Sequence, residues 1–156
     1  MIRKLTLLLI ILCFLSACTS VQEPVYDLES LLNAYGEVWN SGDLAPLDTL
    51  VTDDCSIRFN SSGPFTGKQH LISGIEATRD PFSDFSLEIT DLTAVSDTVC
   101  LIDWEIKARR KTDGEAFTCT GFSTIFHSGG RITGEWISYS EIDWVTGLGY
   151  SVKPPE

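Results

Sequence analysis

The sequence predicts an α+β domain in which helices come first and a mostly antiparallel sheet follows. Three observations carry this. After a short N-terminal apolar run, apolar residues recur at helical spacing through the first half of the chain. From Phe85 onward they alternate with polar residues, the period of a strand. Asp113-Gly114 and Gly129-Gly130 then punctuate the second half as hairpin signals. The 156 residues, 43% hydrophobic and 21% charged, suit one packed domain plus a short extra segment. Chain-wide disorder and a multi-span membrane protein are excluded. Asp and Glu number 22 against 11 Lys and Arg, a net charge of −11. That balance lacks the basic footprint of a nucleic-acid binder.

The extra segment is N-terminal. Arg3 and Lys4 precede an apolar run from Leu5 to Leu15. Eleven helical residues reach roughly 16 Å, about half of a ~30 Å hydrocarbon core, so the run fits a signal-peptide h-region and not a spanning helix. Leu15-Ser16-Ala17-Cys18 resembles the lipobox of bacterial lipoproteins. The resemblance implies cleavage before Cys18 and acylation of Cys18, with palmitate among the chains, so that residues 1–17 are a lipoprotein signal peptide. It also implies an extracytoplasmic protein of the cell envelope, anchored to the membrane through Cys18. Thr19 at the next position, where Asp is absent, resembles outer-membrane sorting if the host is Gram-negative. Loss of Arg3 and Lys4 takes the net charge from −11 to −13. Residues 18–26 read as a polar tether, 27–150 as the domain and 151–156 as a tail.

Leu28, Leu31, Leu32, Tyr35, Val38 and Trp39 form one helical face, with Asp27 as N-cap and Gly42 as stop. Asp43 caps a short second helix with Leu44, Leu47 and Leu50 inward, ended by Thr52-Asp53-Asp54. Cys55 to Phe59 reads as a strand and Asn60 to Pro64 as a turn. Lys68 to Thr78 is a third helix, stopped by Pro81. Strands follow around Phe85 to Ile89, over Val99 to Arg110, over Ala116 to His127 and over Arg131 to Asp143.

This order resembles the NTF2-like superfamily, and within it the SnoaL-like and ketosteroid-isomerase-like branches. The likeness rests on Tyr35 to Asp43 (YGEVWNSGD), Asp53-Asp54, Gly67, Pro81 to Phe85, Phe126 to Ile132 and Tyr139-Ser140-Glu141, over about 120 residues. It implies a cone: three N-terminal helices packed on a strongly curved sheet that encloses a pocket open at one end. Members include isomerases, cyclases, hydrolases and non-catalytic binding or dimerisation modules, so the fold does not decide the function.

Isomerase chemistry of the branch needs a carboxylate base and two oxyanion donors, a Tyr and a protonated Asp. Tyr35 matches the tyrosine. The base position falls on Phe59 and the second donor on Phe122, and Phe serves neither role. Steroid-isomerase chemistry is therefore disfavoured. Cyclase and hydrolase branches place an acid near the end of the last strand, which points to Glu141, or with a one-residue shift Asp143. If Phe126 faces the cone and pairs with Thr133, then Glu135, Ile137, Tyr139 and Glu141 face it too; a slip of one residue turns Trp136, Ser138 and Ser140 inward instead. A two-residue turn at Asp113-Gly114 gives the opposite parity for Phe122 and Phe126, so the register of 116–141 stays open.

The resulting expectation is a cone lined by Tyr35, Trp39, Phe59, Phe122 and Tyr139 that binds a small, largely apolar molecule. The alternative is an enzyme with Glu141 as acid or base and Tyr35 as orienting donor. A third is a homodimerising interaction module. His70 and His127 have no second His or carboxylate at ligand spacing, and five cysteines form no CxxC pair, so no metal and no cofactor is expected. Lys107, Arg109, Arg110 and Lys111 read as a solvated hairpin tip. Cys55, Cys100 and Cys119 are either inert buried thiols or hold one disulfide. On the two-residue turn, Cys119 lies opposite Ala108.

Overall fold

A computed structural model describes residues 26–153. Residues 1–25, where the sequence leads one to expect a signal peptide (1–17), a lipidated Cys18 and a tether, lie outside the described residues, as do 154–156. The elements are α1 (Leu28–Ser41), α2 (Leu47–Leu50), β1 (Val51–Phe59), β2 (Phe65–Thr66), α3 (Lys68–Arg79), β3 (Phe82–Ser96), β4 (Val99–Arg110), β5 (Ala116–Ser128), β6 (Arg131–Tyr139) and α4 (Glu141–Gly147). One curved six-stranded sheet runs in the order β2-β1-β6-β5-β4-β3, antiparallel except where β1 runs parallel to β6. Three helices on one face of a curved, mostly antiparallel sheet is the α+β cone read from the sequence.

α1 forms where its caps and apolar spacing agree. The Asp27 carboxylate accepts from the Glu29 N–H at 3.1 Å, and Gly42 closes the helix at φ 74°. Its buried face presents Leu31, Leu32, Tyr35, Val38 and Trp39 to the sheet. The C-terminal end is held from two sides. Arg79 of α3 donates to the carbonyls of Trp39 and Asn40, which the helix leaves without partners. The Asn40 amide brackets Leu87 of β3, donating to its carbonyl (3.0 Å) and accepting from its N–H (2.6 Å). Tyr35 and Trp39 are thereby fixed relative to both α3 and the sheet.

Several boundaries differ from the sequence expectation. Thr52-Asp53-Asp54 belongs to β1 and does not end α2; Lys68 bridges Asp48 (2.9 Å) and Asp53 (2.8 Å) across that junction. β2 occupies Phe65–Thr66, beside the expected turn, and β3 extends through Ser96. The last strand stops at Tyr139. What reads as continued alternation is helix α4, because the Ser140 hydroxyl accepts from the Asp143 N–H at 3.2 Å and opens a helical turn.

Two registers decide which face each residue of β5 and β6 takes. At the Asp113-Gly114 hairpin, Arg109 pairs with Ala116 and Arg110 exchanges hydrogen bonds with Gly114 and Glu115. The turn is longer than two residues, so the ladder moves by two and Cys119 faces Ile106, not Ala108. Parity survives: Phe117, Cys119, Gly121, Ser123 and Ile125 share the inner face with Ala108, Ile106, Trp104, Ile102 and Cys100. At the second hairpin, His127 pairs with Ile132 but Phe126 pairs with Gly134. Thr133 is thus one residue too many, a β-bulge. Phe126 is on the outer face by the alternation of β5, and the bulge turns Trp136 out to meet it, their rings 5.0 Å apart. Glu135 and Ile137 turn inward with Ile125 and Ser123.

Cys55, Cys100 and Cys119 are free, buried thiols. Burial pushes Cys100 and Cys119 up to about 11 and raises Cys55 as well. At pH 8 a thiol of pKa about 11 is ionised to only about one part in a thousand. The native domain should therefore not react with a thiol reagent within minutes, and all three thiols should react at once in denaturant. Rapid labelling of the native protein in a stopped-flow absorbance assay would refute this.

Candidate functional site

The concave face of the sheet and α1 enclose a cavity whose wall is mostly apolar. Tyr35 and Trp39 line it from α1, Phe59 from β1, Leu87 and Ile89 from β3, Trp104 and Ile106 from β4, Ile137 and Tyr139 from β6, and Trp144 from α4. The cavity volume is about 50 Å³. One carboxylate stands in this wall. Glu135 is 4% exposed, and its Oε2 accepts the Tyr35 hydroxyl at 2.6 Å.

Glu135 sits there because of the Thr133 bulge, which turns it to the inner face opposite Ile125 and beside Ile57. Tyr35 donates to it from α1, and Ser123, two residues from Ile125 on the same face of β5, stands on the inner face beside it. Trp104 Nε1–H donates to Ser123 Oγ at 3.1 Å, and the Trp39 ring meets that of Tyr35 edge-on, centroids 6.5 Å apart. An indole N–H only donates, so the Ser123 hydroxyl proton is free to turn toward Glu135.

Burial raises the Glu135 carboxyl above the ordinary carboxylate range, and the bonds from Tyr35 and Ser123 pull it partly back. Burial and the Glu135 carboxylate together hold the Tyr35 phenol well above its usual value, so it stays protonated as a donor. A carboxyl with a raised pKa, reachable from an apolar cavity, is equipped to take up and return a proton.

Of the residues singled out from sequence, Tyr35, Trp39, Phe59 and Tyr139 line the cavity. Phe122 does not: it lies on the outer sheet face, 50% exposed, paired with Ser138. Glu141 does not either. It is exposed on the first turn of α4, where its Oε1 accepts from Asn60 Nδ2 at 3.2 Å, because the strand that was to carry it inward ends at Tyr139. Asp143, the alternative, is exposed on the same helix. Ser123 and Trp104 were not singled out, and Glu135 only as one outcome of an open register. The signal for Glu135 was a lone acid between Ile132 and Ile137 on a strand packed on both sides. Among the described residues, no group of three His, Cys, Asp or Glu side chains could hold a metal ion. His127 is buried, and the Tyr26 hydroxyl hydrogen-bonds its Nδ1 at the end of the β5–β6 hairpin. His70 is exposed beside Phe65.

Residues 32–135 match the family of SnoaL-like domains. No curated protein sequence matches the chain. Among solved structures, it is similar to IdmH of Streptomyces antibioticus, a proposed polyketide cyclase. The two are 18% identical, the match covers 80% of this chain and 100% of that one, and the TM-score is 0.69. It is similar to AclR of Streptomyces galilaeus, a proposed hydroxylase, at 14% identity over 82% of this chain and 84% of that one, with a TM-score of 0.68. A protein of ketosteroid isomerase-like fold from Catenulispora acidiphila, in complex with trimethylamine, matches at 16% identity. That match covers 80% of this chain and 97% of the other, with a TM-score of 0.67. At these identities the likeness shows the fold.

Proposed function

The chain belongs to the SnoaL-like domain family, and we propose that its cone binds a small, largely apolar molecule end-on against Glu135. The observation that supports this is a single hydrogen-bonded carboxylate in an otherwise apolar, aromatic-rich cavity. Sites of this composition use the apolar wall for affinity and the few polar atoms for orientation. A structural neighbour in complex with trimethylamine is in keeping with a small ligand. Native mass spectrometry of protein purified from its own host, followed by a crystal structure, tests the reading. One small molecule seated against Glu135 is expected. A cavity holding only water, with no co-purifying molecule, would overturn it.

A second reading is supported by the raised pKa of Glu135: an acid-base enzyme in which Glu135 moves the proton and Tyr35 orients it. It replaces the arrangement built on Glu141. Pairing of two copies through the outer sheet face is a separate proposal, supported by exposed Phe122 and Trp136. A monomer at high concentration in sedimentation equilibrium overturns it.

Placement in the cell envelope is likewise a proposal, resting on the lipobox-like Leu15-Ser16-Ala17-Cys18. Two or more acyl chains on Cys18 would anchor the protein firmly, where one chain binds only marginally. Cys18→Ser is expected to abolish fatty-acid labelling and to move the protein from the membrane fraction to the soluble one. Unchanged fractionation of that variant would rule the anchor out.

A further inference from the structure

Glu135 is a buried carboxylate with no ion-pair partner among the described residues. No Lys, Arg or His lines the cavity. Its hydrogen-bond partner is the neutral Tyr35 hydroxyl at 2.6 Å, with the Trp104-held Ser123 hydroxyl beside it, and donors of this kind favour negative charge on the carboxylate. A buried ion without an opposite charge is costly, and the cost falls when a counter-ion arrives. The rest of the wall is suited to one. Trp39, Trp104, Tyr35, Tyr139, Phe59 and Trp144 surround the space in front of Glu135, and aromatic faces attract organic cations most when water is excluded. The cavity of about 50 Å³ is small and limits whatever enters it to a compact head. The net charge of −11 favours cations over anions near the protein as a whole.

We propose that the ligand is an apolar organic ammonium, a small alkylated amine head that takes Glu135 as its counter-ion and the aromatic side chains as its cage. This rests on the ligand-binding reading above and narrows it. An anionic ligand is repelled by Glu135, and a neutral one leaves the carboxylate uncompensated.

Three probes of nearly equal shape separate the cases by calorimetric titration of the wild-type protein: choline, the neutral 3,3-dimethylbutan-1-ol and the anionic 3,3-dimethylbutanoate. Choline should bind at least about tenfold more tightly than the neutral compound, and the anion should not bind. Glu135→Gln should weaken choline by a similar factor and leave the neutral compound unchanged. Equal binding of choline and the alcohol, or choline binding indifferent to Glu135→Gln, overturns the ammonium and leaves a neutral apolar ligand standing. Failure of all three probes overturns it too, and a cavity that yields only water in the crystal then removes the ligand-binding reading with it.

Discussion

Glu135→Gln should flatten the pH dependence of stability that the wild-type protein shows above about pH 4.5. The sign follows from burial. The folded pKa of Glu135 lies above its unfolded value of 4.5, so the folded state holds this proton more tightly than the unfolded chain does. The resulting stabilisation is fully present below the unfolded pKa and is lost as pH rises through the folded pKa. A proton bound ten times more tightly in the folded state corresponds to about 1.4 kcal/mol. Gln has no such proton to lose, so its stability relative to wild type should climb across that window and level off above it. A pH-independent offset lies beneath this climb, because the Gln amide can accept from Tyr35 through its oxygen but also carries an NH2 donor that the carboxylate lacks. An unmet bond of that kind costs on the order of 1 kcal/mol. Subtracting urea-denaturation curves of the two proteins at matched pH cancels the other carboxylates and isolates Glu135. Parallel curves from pH 4 to 8 would show that the carboxyl is not perturbed by folding. The same variant should bind choline more weakly even where it gains stability, the opposition expected of a functional charge in an apolar site.

The fold was legible where local signals coincide. In α1 the apolar spacing, the Asp27 cap and the Gly42 stop all point to one helix, and they position Tyr35 and Trp39 where the cavity needs them. The site itself was less legible, because it hangs on counting residues across two turns. The hairpin after β4 is longer than two residues, yet a ladder displaced by two keeps every side chain on its face, so the inner set of β4 and β5 was readable despite the wrong partners. The Thr133 bulge moves the ladder by one, which exchanges faces, and nothing in the alternation of β6 announces it. Phe126, whose face the sequence left open, lies outside as the β4–β5 parity has it, while Glu135 lies inside for a reason the pattern did not contain. Glu141 misled for a different cause. Ile142 and Trp144 extend the period of the strand, but Ser140 followed three residues later by Asp143 is a helix-start signal, and the hydroxyl cap prevails at the end of the sheet.

Gly121→Ala should destabilise the domain by about 1–3 kcal/mol, although in an ordinary strand interior Ala is better than Gly by roughly 0.5–1 kcal/mol. Gly121 lies on the inner face of β5, opposite Trp104 on one side and Tyr139 on the other. A Cβ there would stand 2.4 Å from Trp104 Cζ2 and 2.5 Å from both Trp104 Cη2 and the Ser138 carbonyl oxygen. The carbonyl belongs to the β6 backbone and yields little, so the indole must move. That indole is the donor to Ser123, which stands on the inner face beside Glu135. The effect should appear as a lower urea midpoint. A double-mutant cycle assigns the cause. If the clash is with the ring, Trp104→Phe removes part of the crowding, and the double variant should be destabilised by less than the sum of the single ones. Strict additivity would locate the strain in the Ser138 carbonyl instead, and would separate the glycine from the carboxylate it is argued to serve.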